Sequence, residues 1–239
     1  MKVLIAIITY NEAMNIESTI QELLDNNNGY DFLLIDNAST DNTCALAKSK
    51  GIQSVVHCIN SGGAMGTVTS YFLYAYLNNY DILCQFDGDG QHIASELCKI
   101  IEPIIAKEAD YVIGSRFLTK DGFQSYFFRR IGILLFAKLN SFIIRQRVTD
   151  VTSGFRAYGK NVIEFFGRRY KHEIHDVNQL LLLSSFGGAR IHEVPVKMRE
   201  RKHGESEFNF INAFSFPFKG LVNILGCLLQ GNQIKKIRN

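Results

Sequence analysis

Short apolar runs alternate with amphipathic stretches through the first half of the chain. Residues 3–10 (VLIAIITY), 32–37 (FLLIDN), 54–60 (SVVHCIN) and 81–87 (DILCQFD) are dominated by apolar side chains, and most end in polar ones. Runs of this length without strict alternation predict strands buried on both faces. Between the first two, Ile16, Ile20, Leu23 and Leu24 recur at the spacing of one helix face. The next connection, STDNTCALAKSKG, opens with capping residues and closes on Gly51 at a C-cap. A third helix is predicted across 66–79, where Val68, Phe72 and Ala75/Tyr76 share a face. Alternating strand and helix predict a largely parallel sheet with right-handed crossovers, whose ligands bind beyond the carboxyl ends of the strands. The polar stretches TYNE, DNAST, NSGG and DGDG all fall there.

The last of these places Asp87 and Asp89 one residue apart among glycines. Two carboxylates on a tight turn offer oxygens to a hard divalent cation, and Mg²⁺ is usually held by one or two carboxylates together with substrate phosphates. Gln91 adds a carbonyl oxygen. An ordinary Asp-Gly turn is the alternative reading of the same string.

Composition narrows the classes. The 239 residues, 46% hydrophobic and 21% charged, suit one large globular domain or one with a C-terminal appendage. Cys44, Cys58, Cys84, Cys98 and Cys227 are odd in number and contain no C-x-x-C pair, which argues against a disulfide framework or zinc site and for reduced thiols in a cytosolic setting. The N-terminal apolar run is short and leads directly into TYNE, so it reads as a strand and not a signal peptide. A net charge of +3 hides an asymmetry: residues 1–115 carry 14 acidic and 5 basic side chains, residues 116–171 carry 3 and 12. Such a basic segment suits phosphates, nucleic acid or an anionic membrane, or is simply a solvated helix face.

Two segments, 127–147 (FFRRIGILLFAKLNSFIIRQR) and 208–230 (FNFINAFSFPFKGLVNILGCLLQ), mix bulky apolar residues with basic flanks. Interfacial amphipathic helices have this character, as do packing helices and dimer interfaces. Polar interruptions argue against a spanning helix, which needs roughly 20 predominantly apolar residues.

Six motifs, in order, resemble glycosyltransferase family 2: TYNE (9–12), IDNASTDNT (35–43), DGDGQH (87–92), IGSRF (113–117), DVTSGFRAY (150–158) and EVPVKMRERKHGES (193–206). The resemblance implies an α/β GT-A fold over residues 1–206, with 207–239 a C-terminal apolar, basic helical appendage for membrane or oligomer contact. The last three motifs resemble the branch containing the polyprenyl-phosphate sugar synthases. Carried over position by position, the family implies that Tyr10, Glu12, Asp36 and Asn37 hold the nucleoside, and that Asp87, Asp89 and Gln91 hold Mg²⁺ or Mn²⁺. Arg116, one of Arg129 or Arg130 (Arg130 preferred) and Arg201 face phosphates. The family places the aspartate of DVTSGFR near the reacting centre, which makes Asp150 the candidate catalytic carboxylate; the alternative is that it only orients the strand or an arginine. Relatives often carry a second aspartate at the position of Asn37, and a lysine at the position of Glu207. Outside these assignments, Arg156 suits either a structural carboxylate or substrate, His92 reads as a loop residue, and His175 beside Asp176 is left without a role.

The expected activity is a metal-dependent, inverting transfer of sugar from a GDP-, UDP- or dTDP-linked donor. The preferred acceptor is a polyprenyl phosphate at the cytoplasmic membrane face; the alternative is a hydroxyl of a lipid-linked saccharide in surface-polysaccharide assembly. Peripheral membrane contact and a homo-oligomer are compatible partners, and nucleic acid is not expected. A nucleotidyltransferase is disfavoured because IITYNEAMN lacks a glycine-rich basic loop, and a dehydrogenase because no G-x-G-x-x-G follows the first strand. A non-catalytic nucleotide-binding scaffold is the rival that the intact Asp87 and Asp89 oppose.

Overall fold

The computed structural model describes residues 1–60, 67–119, 127–169, 177–201, 203 and 210–231. The first half follows the predicted alternation: β1 (Val3–Thr9), α1 (Ile16–Asp25), β2 (Asp31–Asp36), α2 (Thr43–Ser49), β3 (Gln53–Val56), α3 (Val68–Leu77) and β4 (Ile82–Asp87). A 3₁₀ turn at Ala94–Glu96 leads into α4 (Leu97–Ile105). There follow β5 (Tyr111–Ser115), α5 (Phe127–Ile144), β6 (Arg156–Gly159), α6 (Lys160–Glu164) with a π-helical turn at Phe165–Arg169, α7 (Val177–Phe186), β7 (Ile191–Pro195) and α8 (Phe210–Gly231).

Among the described residues, seven strands form one sheet in the order β3-β2-β1-β4-β6-β5-β7. β1 pairs in parallel with β2 and β4, β2 with β3, and β5 with β7. β6 runs antiparallel to both its neighbours, β4 and β5. The strand period of two divides β1 between two cores. Leu4, Ala6 and Ile8 join Tyr71 and Phe72 of α3, Val162 of α6 and Leu180–Leu183 of α7. Val3, Ile5 and Ile7 join Ile16, Ile20 and Leu23 of α1, and Leu97, Ile100 and Ile101 of α4.

Two local expectations change. Gly51 lies one residue beyond the α2 C-cap, Lys50, with φ +78°, a left-handed conformation that glycine adopts without a Cβ penalty. The strand expected over 54–60 ends at Val56, and Gln53, Ser54 and Val56 are exposed, because β3 is a sheet edge and not a central strand. At the C-terminus, Ile224 and Cys227 of α8 are buried in the same core as α7, while Leu221, Val222, Leu225, Leu228 and Leu229 are between 45% and 72% exposed.

Candidate active site

β1, β2 and β4 are adjacent and parallel, so their carboxyl ends deliver three polar loops to one edge. Asp36, at the end of β2, is buried and acts as the knot between two of them. Its Oδ2 accepts hydrogen bonds from Thr9 Oγ1 (2.9 Å) and Ser39 Oγ (2.6 Å), and its Oδ1 from the Ser39 amide (2.7 Å). Asn37 is also buried; its amide donates to the Thr9 carbonyl (2.9 Å) and its Nδ2 to Asn60 Oδ1 (3.0 Å). Asn11, with φ +53°, donates from its amide to Ser39 Oγ, and its own Oδ1 accepts from the Thr40 amide. The Glu12 amide donates to Thr43 Oγ1 (2.9 Å). Tyr10 is exposed at the rim of this loop pair.

The β4 loop is shaped by close backbone approach. The Gly88 amide donates to the Ile8 carbonyl (2.8 Å), and a Cβ on Gly88 would stand 2.5 Å from Thr9 Cγ2. Gly90, with φ +77°, turns the chain so that the Gln91 amide reaches Asp89 Oδ1 (3.0 Å). Removal from water raises the pKa of both Asp87 and Asp89, and for Asp89 the charge of Asp87 adds to it. The hydrogen bond from Gln85 and the charges of Arg116, Arg201 and Arg156 oppose the shift at Asp87, and the Gln91 amide and Arg201 oppose it at Asp89. His92 is not a bystander to the loop. It is buried, stacked on Phe155 with ring centres 4.7 Å apart, and its Nδ1 accepts the Asp87 amide proton (3.0 Å). Burial lowers its pKa to about 4, so the ring is neutral at pH 7, and the Nε2–H faces Asp87 Oδ2 at 3.5 Å.

A strap from the C-terminal side crosses this loop. Met198 bridges to His92, the Arg199 amide donates to the Gln91 carbonyl (2.8 Å), and Gln91 Nε2 donates to the Arg199 carbonyl (3.4 Å). Arg199 is itself anchored by a two-pronged bond to Glu22. Arg201 then pairs with Glu12 while its Nη1 lies 3.9 Å from Asp89 Oδ2. Burial raises the Glu12 pKa, against the hydrogen bond from Asn15 and the charge of Arg201.

Across the site, Arg116 leaves β5 and grips Asp150 with its fork, Nε to Oδ2 at 2.7 Å and Nη2 to Oδ1 at 2.8 Å, with a third bond to Thr152 Oγ1. Burial acts to raise the Asp150 pKa, but the charge and hydrogen bonds of Arg116 outweigh it and hold the carboxyl below its ordinary value. Glu193 fixes the same loop by accepting the amides of Thr149 and Asp150. Arg156 plays neither expected part. It is fully buried and makes no ion pair among the described residues; it donates instead to Tyr111 Oη and to the carbonyls of Val151, Ser153 and Val177.

Of the residues named from sequence, Asp87, Asp89, Glu12 and Arg201 meet in one cluster, with the charge of Arg116 reaching Asp87. Asp36 and Asn37 lie at the adjoining strand end, and Gln91 is tied to the strap. Arg129 and Arg130 belong to the start of α5, but their side chains fall outside the described residues, as do His175, Asp176 and Glu207 altogether. Sequence reasoning missed His92 as an orienting group, and Gln85, whose Nε2 approaches Asp87 Oδ1 (3.4 Å). A polar residue inside an apolar strand, two positions before a candidate ligand, was the available signal for Gln85. Among the described residues no group of three or more His, Cys, Asp or Glu forms a complete metal cage. Two neighbouring carboxylates, partly withdrawn from water, with the charge of Asp87 raising the proton affinity of Asp89, are the hard-oxygen set that suits a cation shared with a ligand's phosphates.

The family model described as Glycosyl transferase family 2 matches residues 4–166. An undecaprenyl-phosphate mannosyltransferase of Micrococcus luteus is 29% identical over 87% of this chain and 88% of its own length. A UDP-N-acetylglucosamine–dolichyl-phosphate N-acetylglucosaminyltransferase of Methanococcus voltae is 27% identical over 79% and 82%. Among solved structures, glucosyl-3-phosphoglycerate synthase from Mycobacterium tuberculosis, in complex with Mn²⁺, UDP and its product, superposes with a TM-score of 0.65 at 15% identity, covering 95% of this chain and 79% of that one.

Proposed function

The chain belongs to glycosyltransferase family 2, and from that premise we propose that it transfers a sugar from a nucleoside-diphosphate donor to the phosphate of a polyprenyl phosphate, with inversion, at the cytoplasmic membrane face. The enzyme class and the GT-A fold follow from the family and the topology. The acceptor rests on the two lipid-phosphate relatives and on the state of Asp150, and the observation that carries the reading is the Arg116–Asp150 pair.

A hydroxyl acceptor needs a base, and a positioned carboxylate supplies a rate factor of roughly 10² to 10⁴. Asp150 is poorly suited to that task, because both its oxygens are engaged by Arg116 and its proton affinity is depressed. A phosphate monoester, with a second pKa of about 6, is largely ionised at neutral pH and needs no base. Asp150 serves instead to orient Arg116, whose Nε and Nη2 stay on Asp150 and Thr152 while its positive charge reaches the Asp87 side of the site and favours a phosphate there. In the displacement, an acceptor phosphate oxygen bonds to the anomeric carbon as the bond from that carbon to the diphosphate breaks. The electron pair leaves with the nucleoside diphosphate, and no proton transfer is required. Asp87 and Asp89 are the residues that would hold Mg²⁺ or Mn²⁺, which when bound neutralises charge developing on the diphosphate. Asp36 and Asn37 shape the nucleoside end, and Arg201 reaches the diphosphate from the strap. Gln91 stays with the strap as an auxiliary oxygen, and Arg130 is retained as a phosphate contact from α5.

The membrane assignment rests on α8. No helix of the described residues is long and apolar enough to cross a bilayer. Leu221, Val222, Leu225, Leu228 and Leu229 form one exposed stripe at helical spacing. Residues 208–239 contain four basic side chains and no acidic one, and 127–147 contain five and none. An apolar stripe on a segment whose charged residues are all basic matches an anionic lipid surface.

Label transfer from GDP-, UDP- and dTDP-sugars to a short polyprenyl phosphate, with Mg²⁺ or Mn²⁺, tests the reaction. One donor should give a lipid-phosphate sugar of inverted configuration, and chelation should abolish it. Transfer only to a saccharide hydroxyl would overturn the acceptor assignment.

A further inference from the structure

Gly154 lies in the loop between Asp150 and β6, packed against the metal-loop carboxylate. A Cβ built there would stand 2.6 Å from Asp87 Oδ2, 3.3 Å from Asp87 Cγ and 3.2 Å from Gln85 Nε2. Its φ is not among the positive ones, so the backbone admits any residue and the vacant space, not conformational freedom, is what glycine provides. The loop cannot easily retreat. Arg156 binds the carbonyls of Val151 and Ser153 within it (2.8 and 2.5 Å), the Phe155 amide donates to Ser153 Oγ (3.2 Å), and the Phe155 carbonyl accepts the Gly114 amide of β5 (2.8 Å). Phe155 is pinned in turn between Phe86 and His92, the residues flanking the aspartate loop. On its other sides Asp87 meets Gln85 Nε2 and His92 Nε2.

We infer that Gly154 is a positioning residue for the metal site: its missing side chain is the space that fixes the Asp87 carboxylate, and its loop sets that carboxylate relative to the Asp150–Arg116 pair. The inference rests on the proposed metal role of Asp87 and goes beyond it. Arg116, through Asp150, and the metal-side aspartate are held in register by one loop, braced by the fully buried Arg156. The atom a methyl group would meet is the far end of a flexible carboxylate, so the added volume turns Asp87 and leaves the fold in place.

The test is Gly154→Ala on the full chain, with Mn²⁺ affinity in the presence of the nucleoside diphosphate read by electron paramagnetic resonance. Mn²⁺ affinity should fall roughly 10- to 100-fold, the range seen when a group that orients a metal ligand is lost. The melting temperature without metal should stay within a few degrees, as should metal-free nucleotide affinity within a factor of about two; in turnover, the apparent KM for metal should rise more than that for acceptor. Gly154→Ser should behave like the alanine variant. Unchanged Mn²⁺ affinity in both variants would overturn the inference, and so would parallel loss of folding and metal-free nucleotide binding, which would mark the space as core packing. A wild-type chain that binds no Mn²⁺ with nucleotide would remove the metal reading itself, a result distinct from either.

Discussion

Asp150 keeps its charge in a place where burial alone would favour protonation, because the Arg116 fork occupies both its oxygens. A carboxylate whose folded pKa is depressed stabilises the fold above its unfolded value of about 3.9, and that contribution disappears as pH falls through the folded value. Asp150→Asn keeps the shape and removes the negative charge that offsets the largely buried Arg116. The expected loss is about 3 kcal/mol at pH 7, measured by urea denaturation, and the gap to wild type should close in acid below about pH 4. A gap independent of pH would show that the ion pair is not its source. With polyprenyl phosphate as acceptor, turnover of the folded variant should decline modestly, with a shallow alkaline limb in the pH–rate profile. Arg116→Lys should recover only part of the donor and acceptor affinity lost in Arg116→Ala, since a point charge lacks the fork. The carboxylates and arginines that gather at the strand ends were largely legible because their types are few and their spacing is local. Those that aim them, His92 and Gly154, were not. Their roles arise from contacts with segments about 60 residues away, between His92 and Phe155 and between Gly154 and Asp87, which no local spacing encodes.

At the scale of elements, the parallel half was legible because buried strands read as unbroken apolar runs and α1 shows a clear apolar face. β6 was not: its four residues, Arg-Ala-Tyr-Gly, include a charged side chain whose full burial is supported by hydrogen bonds donated to Tyr111 and three carbonyls. The β3 limits shifted for the complementary reason, since apolar content beyond Val56 carries no strand where the edge has no further partner. The α8 stripe makes its own prediction. Leu225→Glu and Leu229→Glu alter exposed positions, so the melting temperature should hold within about 2 °C, because surface changes usually fall within about 0.5 kcal/mol. Binding to vesicles rich in anionic lipid, followed by sedimentation, should drop severalfold, and rising salt should weaken the wild type as screening reduces the electrostatic share. Undiminished vesicle binding by the double variant would return the stripe to a contact between protein copies.

Over the whole molecule, the strap makes three distant parts of the chain answer to one another. Arg201 pairs with Glu12 of the first loop, stands 3.9 Å from Asp89 of the third, and follows Arg199, which is bonded to Glu22 of α1. A cation from the C-terminal side therefore occupies the ground between the two acidic loops where charge is most concentrated. This gives Arg201 two effects of opposite sign. Toward a divalent ion alone it is a competitor, because like charges within a few ångströms repel. Toward a nucleoside diphosphate it is a partner, because the diphosphate supplies the negative charge that both cations share. Arg201→Met should leave Mn²⁺ binding without nucleotide equal to or tighter than wild type. It should also raise the KM for donor roughly 10- to 100-fold, the equivalent of one lost charge-assisted hydrogen bond at about 1.5–3 kcal/mol. The stabilisation by donor plus metal in a melting experiment, which follows affinity by mass action, should shrink accordingly. If the substitution weakens Mn²⁺ binding with and without nucleotide to the same degree, Arg201 only props the loops apart, and the strap is a structural tie, not a contact that the donor takes over.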